Sequence, residues 1–141
     1  FILFLATFSK SRKTHIEEIT FRDALIIGFA QSLALIPGTS RSGVTISAGL
    51  LLGLDSKTAS KFSFLMAVPT IGAIASYQLL STDLEFLIQY FQINLLGLVV
   101  SFAIAYATID FFIRFINRIG FLPFILYRIV LGIVLFSLIL S

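Results

Sequence analysis

The chain is 141 residues long, 58% hydrophobic and only 12% charged, with a mean hydropathy of +1.05, far from the roughly 45–50% apolar and 25% charged of an ordinary soluble domain. This composition excludes a water-soluble globule and predicts an all-α integral membrane protein, because the apolar stretches are too long for strands and lack the ~10-residue alternation of a membrane barrel. The net charge of +3 is modest and sits in loops, so nucleic acid is not an expected partner, and the lack of cysteine excludes disulfide, thiol-nucleophile and cysteine–metal chemistry.

In chain order, Phe1 to Phe8 reads as the end of a spanning helix whose beginning is missing, so the sequence is expected to be a fragment of a longer protein, forming one membrane domain over 1–141. Ser9 to Thr20 is a polar loop carrying Lys10, Arg12, Lys13, His15, Glu17 and Glu18. The next apolar stretch, Arg22 to Ile36, stops at Pro37-Gly38, and Val44 to Leu54 after it is shorter still. A spanning helix needs about 20 apolar residues. Two short arms around a Gly/Ser loop therefore predict a re-entrant helix-loop-helix hairpin over about 22–54.

Asp55-Ser56 has the form of a helix N-cap and opens a span over about 56–80, with Lys57 and Lys61 in its first turns. The Ser81 to Gln92 loop holds Asp83 and Glu85 but no Lys or Arg. Further spans are predicted at 93–112, followed by Arg114 and Arg118, and at 121–140. With a non-crossing hairpin, every loop cation falls on the cytoplasmic side and the 81–92 loop and C-terminus lie outside, which satisfies the positive-inside rule. With no Trp in the chain, Tyr77, Tyr90 and Tyr127 are the candidates for an aromatic belt.

Chemistry concentrates at Pro37-Gly38-Thr39-Ser40-Arg41-Ser42-Gly43-Val44-Thr45. An arginine inside apolar membrane sequence is costly unless it has a partner, and the ordinary partner is an anion. Gly38 and Gly43 permit turn conformations and close approach. Ser42, Gly43 and Val44 begin the second arm, whose unpaired N–H groups and dipole favour phosphate. Arg41 adds a two-pronged charged contact, and Thr39, Ser40, Ser42 and Thr45 add hydroxyls. Such a loop must line a protein or water-filled cavity.

Gly38 to Gly43 has P-loop spacing, but Val44 stands where the loop needs Lys, so the segment is not a nucleotide P-loop. The hydroxyls of Ser40 and Thr45 could equally satisfy backbone groups, as is common in membrane helices. Gln31, in the first arm, is a further candidate for hydrogen bonding to the loop and ligand. Asp110 and Arg114 have the spacing of a local ion pair, Arg128 has snorkelling or pairing as its ordinary explanation, and His15 is expected to be solvated. A broken helix aimed at an anion also suits a secondary transporter or flippase of a phosphorylated lipid or small anion.

The run AQSLALIPGTSRSGVTIS, from Ala30 to Ser47, closely resembles the second signature of undecaprenyl-diphosphate phosphatases of the bacitracin-resistance type, and the likeness continues through FSFLMAVPTI (62–71) and FILYRIVLG (124–132). It covers nearly the whole chain as the C-terminal half of such a protein. The resemblance implies a bacterial inner-membrane hydrolase that converts a C55 polyprenyl diphosphate to the monophosphate carrier of peptidoglycan synthesis. Its site is formed by two re-entrant hairpins in inverted repeat and opens to the periplasm. Ser40, Arg41 and Thr45 match the family's diphosphate contacts, with Arg41 and Ser40 the candidate catalytic residues. The family's other signature, with its glutamates and histidine, has no match here. The divalent cation it implies, Mg or Ca, is expected to take its ligands from the missing half, with no metal ligand in this chain. The expected partners are the polyprenyl diphosphate lipid and the membrane, and a homodimer is a candidate assembly.

Overall fold

The computed structural model describes residues 2–82 and 84–140. Its helices, in order, are α1 (Ile2–Ala6), α2 (Phe21–Gln31), α3 (Arg41–Leu51), α4 (Ser56–Ser81), α5 (Leu84–Gln89), α6 (Phe91–Ile119) and α7 (Leu122–Leu140). Short 3₁₀ turns lie at Ile16–Glu18 and Ser32–Leu35. Among the described residues, three helices are long and apolar enough to cross a membrane: α4, α6 and, over Leu122–Ile139, α7. Their outward faces are largely bare hydrocarbon, as at Leu80, Phe102 and Ile139.

Local sequence explains where the helices begin. Thr20 caps α2 reciprocally with Asp23: the Thr20 hydroxyl accepts from the Asp23 amide at 3.2 Å, and Asp23 Oδ2 accepts from the Thr20 amide at 2.9 Å. Asp55 caps α4 as its sequence predicts, Oδ1 accepting from the Thr58 amide at 2.7 Å. α6 extends well past the expected 93–112, because a helix C-terminus tolerates cations such as Arg114 and Arg118. It ends at Gly120, whose φ of 75° is left-handed. Within the expected 81–92 loop, 84–89 is helical; Glu85 lies in α5, while Asp83 and Phe1 fall outside the described residues.

α3 is the central element, packed against α1, α2 and α4. It contributes Ile46 and Leu50 to a core completed by Ile27, Leu54, Ile116 and Phe121. A Cβ on Gly49 would stand 3.1 Å from Ala59 Cβ, so α3 and α4 meet almost backbone to backbone. Small residues allow this approach and their hydroxyls join the helices: Thr45 Oγ1 lies 2.6 Å from Ser63 Oγ in the interior.

The start of α2 and the end of α3 meet at one loop residue. Lys13 Nζ donates to Asp23 Oδ2. The Lys13 amide donates to the Gly53 carbonyl at 2.9 Å, and its carbonyl accepts from the Asp55 amide at 2.9 Å.

Candidate functional site

The connection between α2 and α3 is built from short-range rules. The α-helix gives way to the 3₁₀ turn at Ser32, where the Ser32 hydroxyl donates to the Phe29 carbonyl at 2.7 Å. Local side-chain bonding of this kind competes with a helix ladder. Helical winding thus ends before Pro37, and Pro37 takes a different part. Ile36 is extended, as a residue before proline prefers. The Thr39 amide donates to the Ile36 carbonyl at 3.1 Å, closing a turn with Pro37 and Gly38 at its centre. Gly38 has φ 83°, the left-handed conformation that the second central position of such a turn requires.

Ser40 then caps α3, its hydroxyl oxygen accepting from the Gly43 amide at 3.2 Å. Gly43 makes the cap possible by its size: a Cβ there would lie 3.1 Å from both Cβ and Oγ of Ser40. Ser42 Oγ sits 3.5 Å from Ser40 Oγ.

Two polar atoms here are buried without a hydrogen-bond partner: Arg41 Nη1, a donor, and Gln31 Oε1, an acceptor. Orphaned buried groups are rare because each forfeits its hydration. They stand on the residues that end α2 and begin α3. Gln31 does not bond the loop. Its Nε2 donates across to Thr70 Oγ1 of α4 at 3.1 Å, so the first arm is held by α4 and the amide oxygen is left free.

Thr45 is only 1% exposed, and its hydroxyl is engaged by the carbonyls of Arg41 (3.0 Å) and Ser42 (3.2 Å) and by Ser63. Thr45 thus faces α4, while Ser40, Ser42 and Gly43 line a cleft between α3 and α7.

That cleft has two contiguous parts, of about 140 and 490 Å³, sharing Leu3, Ser40, Gly43, Ile125 and Arg128. One wall carries the hydroxyls and first turn of α3. The other is apolar, with Phe112 of α6 and Phe121 and Phe124 about α7. Arg41 is not among the residues lining either part; Arg128 lines both. Sequence reasoning ranked Arg128 low, since a lone arginine shortly inside an apolar helix has snorkelling as its common explanation. The signal that marks it is spacing: 121, 125 and 128 recur at i, i+4 and i+7 and share one helical face.

The acidic groups lie elsewhere. Glu18 Oε2 accepts from the His15 amide at 2.9 Å and the Thr14 amide at 2.7 Å, which holds its carboxyl below the ordinary range. Asp110 pairs with Arg114 at 2.7 Å, as their spacing predicts. Among the described residues no three His, Cys, Asp or Glu side chains gather to hold a metal ion. The described residues therefore do not by themselves fit a divalent cation.

Comparison with known proteins adds identity to this geometry. The family described as bacitracin resistance protein BacA matches residues 1–134. The chain is 47% identical over 131 residues to a protein named undecaprenyl-diphosphatase from Idiomarina loihiensis, covering 93% of this chain and 49% of that one. Proteins of the same name from Marinobacter nauticus and Persephonella marina are 41% and 50% identical, over 96% and 82% of this chain and 51% and 45% of theirs. The chain spans about half the length of the curated relatives it matches. A match extending over residues 1–134 shows that the chain belongs to the bacitracin resistance protein BacA family.

Proposed function

We propose that this chain supplies the diphosphate-binding half of an undecaprenyl-diphosphate phosphatase of the bacterial inner membrane, which cleaves the terminal phosphate from a C55 polyprenyl diphosphate. The observation that carries the reading is Arg41 Nη1, a buried, charged donor with no acceptor beside the N-terminus of a Ser40-capped helix. A donor so placed calls for an anion, because a guanidinium nitrogen buried without a partner has lost water and gained nothing. The relatives' shared name supports reading that anion as a prenyl diphosphate.

In this reading the α2–α3 segment is a re-entrant hairpin, one of two in inverted repeat, with a site opening to the periplasm. Two features support re-entry. Each helix has 11 residues, about 16 Å at ~1.5 Å per residue, roughly half the ~30 Å hydrocarbon thickness. Both ends of the segment are tied to Lys13, so it enters and leaves on one face.

The chemistry is in-line displacement at the terminal phosphorus. Most of the catalysis comes from electrostatic stabilisation of charge on the phosphoryl oxygens. Arg41 and the N-terminal amides of α3 form the clamp. Ser40, whose oxygen already accepts from the Gly43 amide, keeps its O–H to donate. Gly38, Thr39, Ser42, Gly43, Thr45 and Gln31 shape or contact the cradle. The attacking group and the ligands of a divalent cation, Mg or Ca, belong to residues outside this chain.

The test is phosphate release from undecaprenyl diphosphate by the full-length protein in detergent, with and without Arg41→Ala. Loss of one preorganised charged contact should lower kcat by about 10²- to 10³-fold. Full-length protein that releases no phosphate yet moves the lipid across vesicles makes the chain part of a transporter and overturns the reading.

A further inference from the structure

We infer that the C-terminal end of α6 carries a headgroup site for an anionic phospholipid, formed by Arg114, Asn117 and Arg118 together with Phe111 and Phe115. The site is separate from the α3–α7 cleft. It rests on α6 being a membrane span and stands whether or not the phosphatase reading does.

Spacing and shape come first. Residues 111, 114, 115 and 118 recur at i, i+3, i+4 and i+7, one face of α6 over its last turns. With Asn117 they line a groove of about 430 Å³ that shares no lining residue with the cleft. The aromatic part of this groove is held in place. The Phe111 and Phe115 rings stack with centroids 5.8 Å apart, and Phe115 meets Phe124 of α7 edge to face at 5.6 Å. All five lining residues belong to α6, so among the described residues the groove opens away from the bundle.

Depth comes second. α6 has 29 residues, about 43 Å at 1.5 Å per residue. The hydrocarbon layer is ~30 Å thick and the whole bilayer ~40–45 Å, so a centred α6 carries its last turn into the headgroup zone. Arg118 then lies at phosphate depth and Arg114 at the edge of the hydrocarbon. Phe111, two turns from the end of the helix and 64% exposed, lies among acyl chains.

Charge selects the ligand. The last ten residues of α6 hold one acid, Asp110, and two bases, Arg114 and Arg118, for a net charge of +1. Arg114 Nη2 meets Asp110 Oδ2 at 2.7 Å, which leaves other donors of the guanidinium fork for a second acceptor. Arg118 takes part in neither ion pair found among the described residues. A cation in the last turn also complements the helix dipole, but the dipole gives no reason for exposed rings on the same face. A phosphodiester headgroup of net charge −1, with acyl chains running down over Phe111, matches both features. Phosphatidylglycerol is such a lipid, and a soluble phosphate would leave the rings uncovered.

The experiment places a reporter in the groove. This chain has no tryptophan, so Phe111→Trp in the full-length protein, read as the difference from unmodified protein, gives a local signal. The protein is reconstituted in vesicles of phosphatidylcholine with increasing phosphatidylglycerol, and one lipid at a time carries brominated, quenching chains. One net positive charge near the surface favours the anionic lipid about fivefold, so brominated phosphatidylglycerol should quench as if about fivefold enriched. Arg118→Gln, added to the reporter, should bring the preference to about one, and Arg118→Lys should retain most of it. Asp110→Asn raises the local charge to +2 and should increase the preference several-fold; it carries the test alone if the Arg118 variants do not fold. Glycerol phosphate added to the vesicles should not relieve the quenching.

Equal quenching by the two lipids overturns the inference and leaves two snorkelling arginines. Quenching by neither lipid shows a groove covered by protein, and relief by glycerol phosphate shows a soluble-anion site; each overturns it as well. A preference unaltered in Arg118→Gln and Asp110→Asn does the same. Phosphate release is measured separately, so its absence bears on the phosphatase reading alone.

Discussion

Lys13 and Asp23, ten residues apart, form an ion pair in which the same carboxylate oxygen, Oδ2, also accepts from the amide and hydroxyl of Thr20. The Lys13 ammonium first, and then the Thr20 donors, lower the Asp23 pKa from 3.8 to about 2. A carboxylate depressed in the folded state stabilises that state above its unfolded pKa, and the stabilisation is lost as pH falls through the folded value. We predict a loss on the order of 2 kcal/mol between pH 4 and pH 2. Unfolding followed against pH should show it, and Asp23→Asn, less stable at neutral pH, should lack this share of the loss.

Gly43→Ala separates stability from binding. The added methyl presses on Ser40 and weakens a cap worth about 1 kcal/mol, while replacing glycine within a helix returns about 1 kcal/mol. Melting should therefore stay near the parent value, while KM for the prenyl diphosphate rises because Ser40 is displaced. A stability loss with an unaltered KM contradicts this account.

Gly38→Ala tests the turn itself. At φ 83° a side chain costs about 1–2 kcal/mol, and no neighbour lies within 4 Å of the new methyl to add a clash. A loss of that size in denaturant unfolding is expected, and a neutral result would mean that the turn differs from a left-handed glycine turn.

Thr45→Val removes the hydroxyl at nearly constant volume and leaves Ser63 without its partner across the α3–α4 contact. Inter-helix hydrogen bonds in membrane proteins average about 0.6 kcal/mol and reach about 2, so destabilisation of about 1 kcal/mol is expected, with Thr45→Ser close to the parent. If Thr45→Val instead raises KM at unchanged stability, Thr45 is a ligand contact before it is a helix clasp.

The chain contains no cysteine, so a single thiol in an otherwise cysteine-free protein reports topology. A cysteine at Gln89, in α5, should react with a membrane-impermeant maleimide added outside the cell. Reaction only after the cytoplasmic face is opened would reverse the orientation.

The helical membrane character was legible because hydropathy is a local property and the apolar stretches are long. The Asp55 cap and the Asp110–Arg114 pair were legible because their partners lie three and four residues away. What was hidden depends on partners distant in sequence. Gln31 finds Thr70, 39 residues away, and no pattern within the first arm announces it. Arg128 lines the cleft together with residues of α3, more than eighty positions away in sequence, and the same residue on an isolated α7 reads as a snorkelling cation. α5 was missed for a local reason: Leu84–Gln89 is six residues long, too short for periodicity to assert itself against its polar surroundings.

The triple attachment at Lys13 has a consequence in time as well as in space. The amides of Arg12 and Lys13 are closed on the Gly53 carbonyl and that of Asp55 on the Lys13 carbonyl, while the Lys13 side chain holds the mouth of α2. None of these can open alone without loosening the others, so the loop, the foot of α2 and the α3–α4 corner form one cooperative opening unit. In native-state hydrogen exchange these amides should share a single opening free energy, and fraying at the ends of α2 and α3 should be one event.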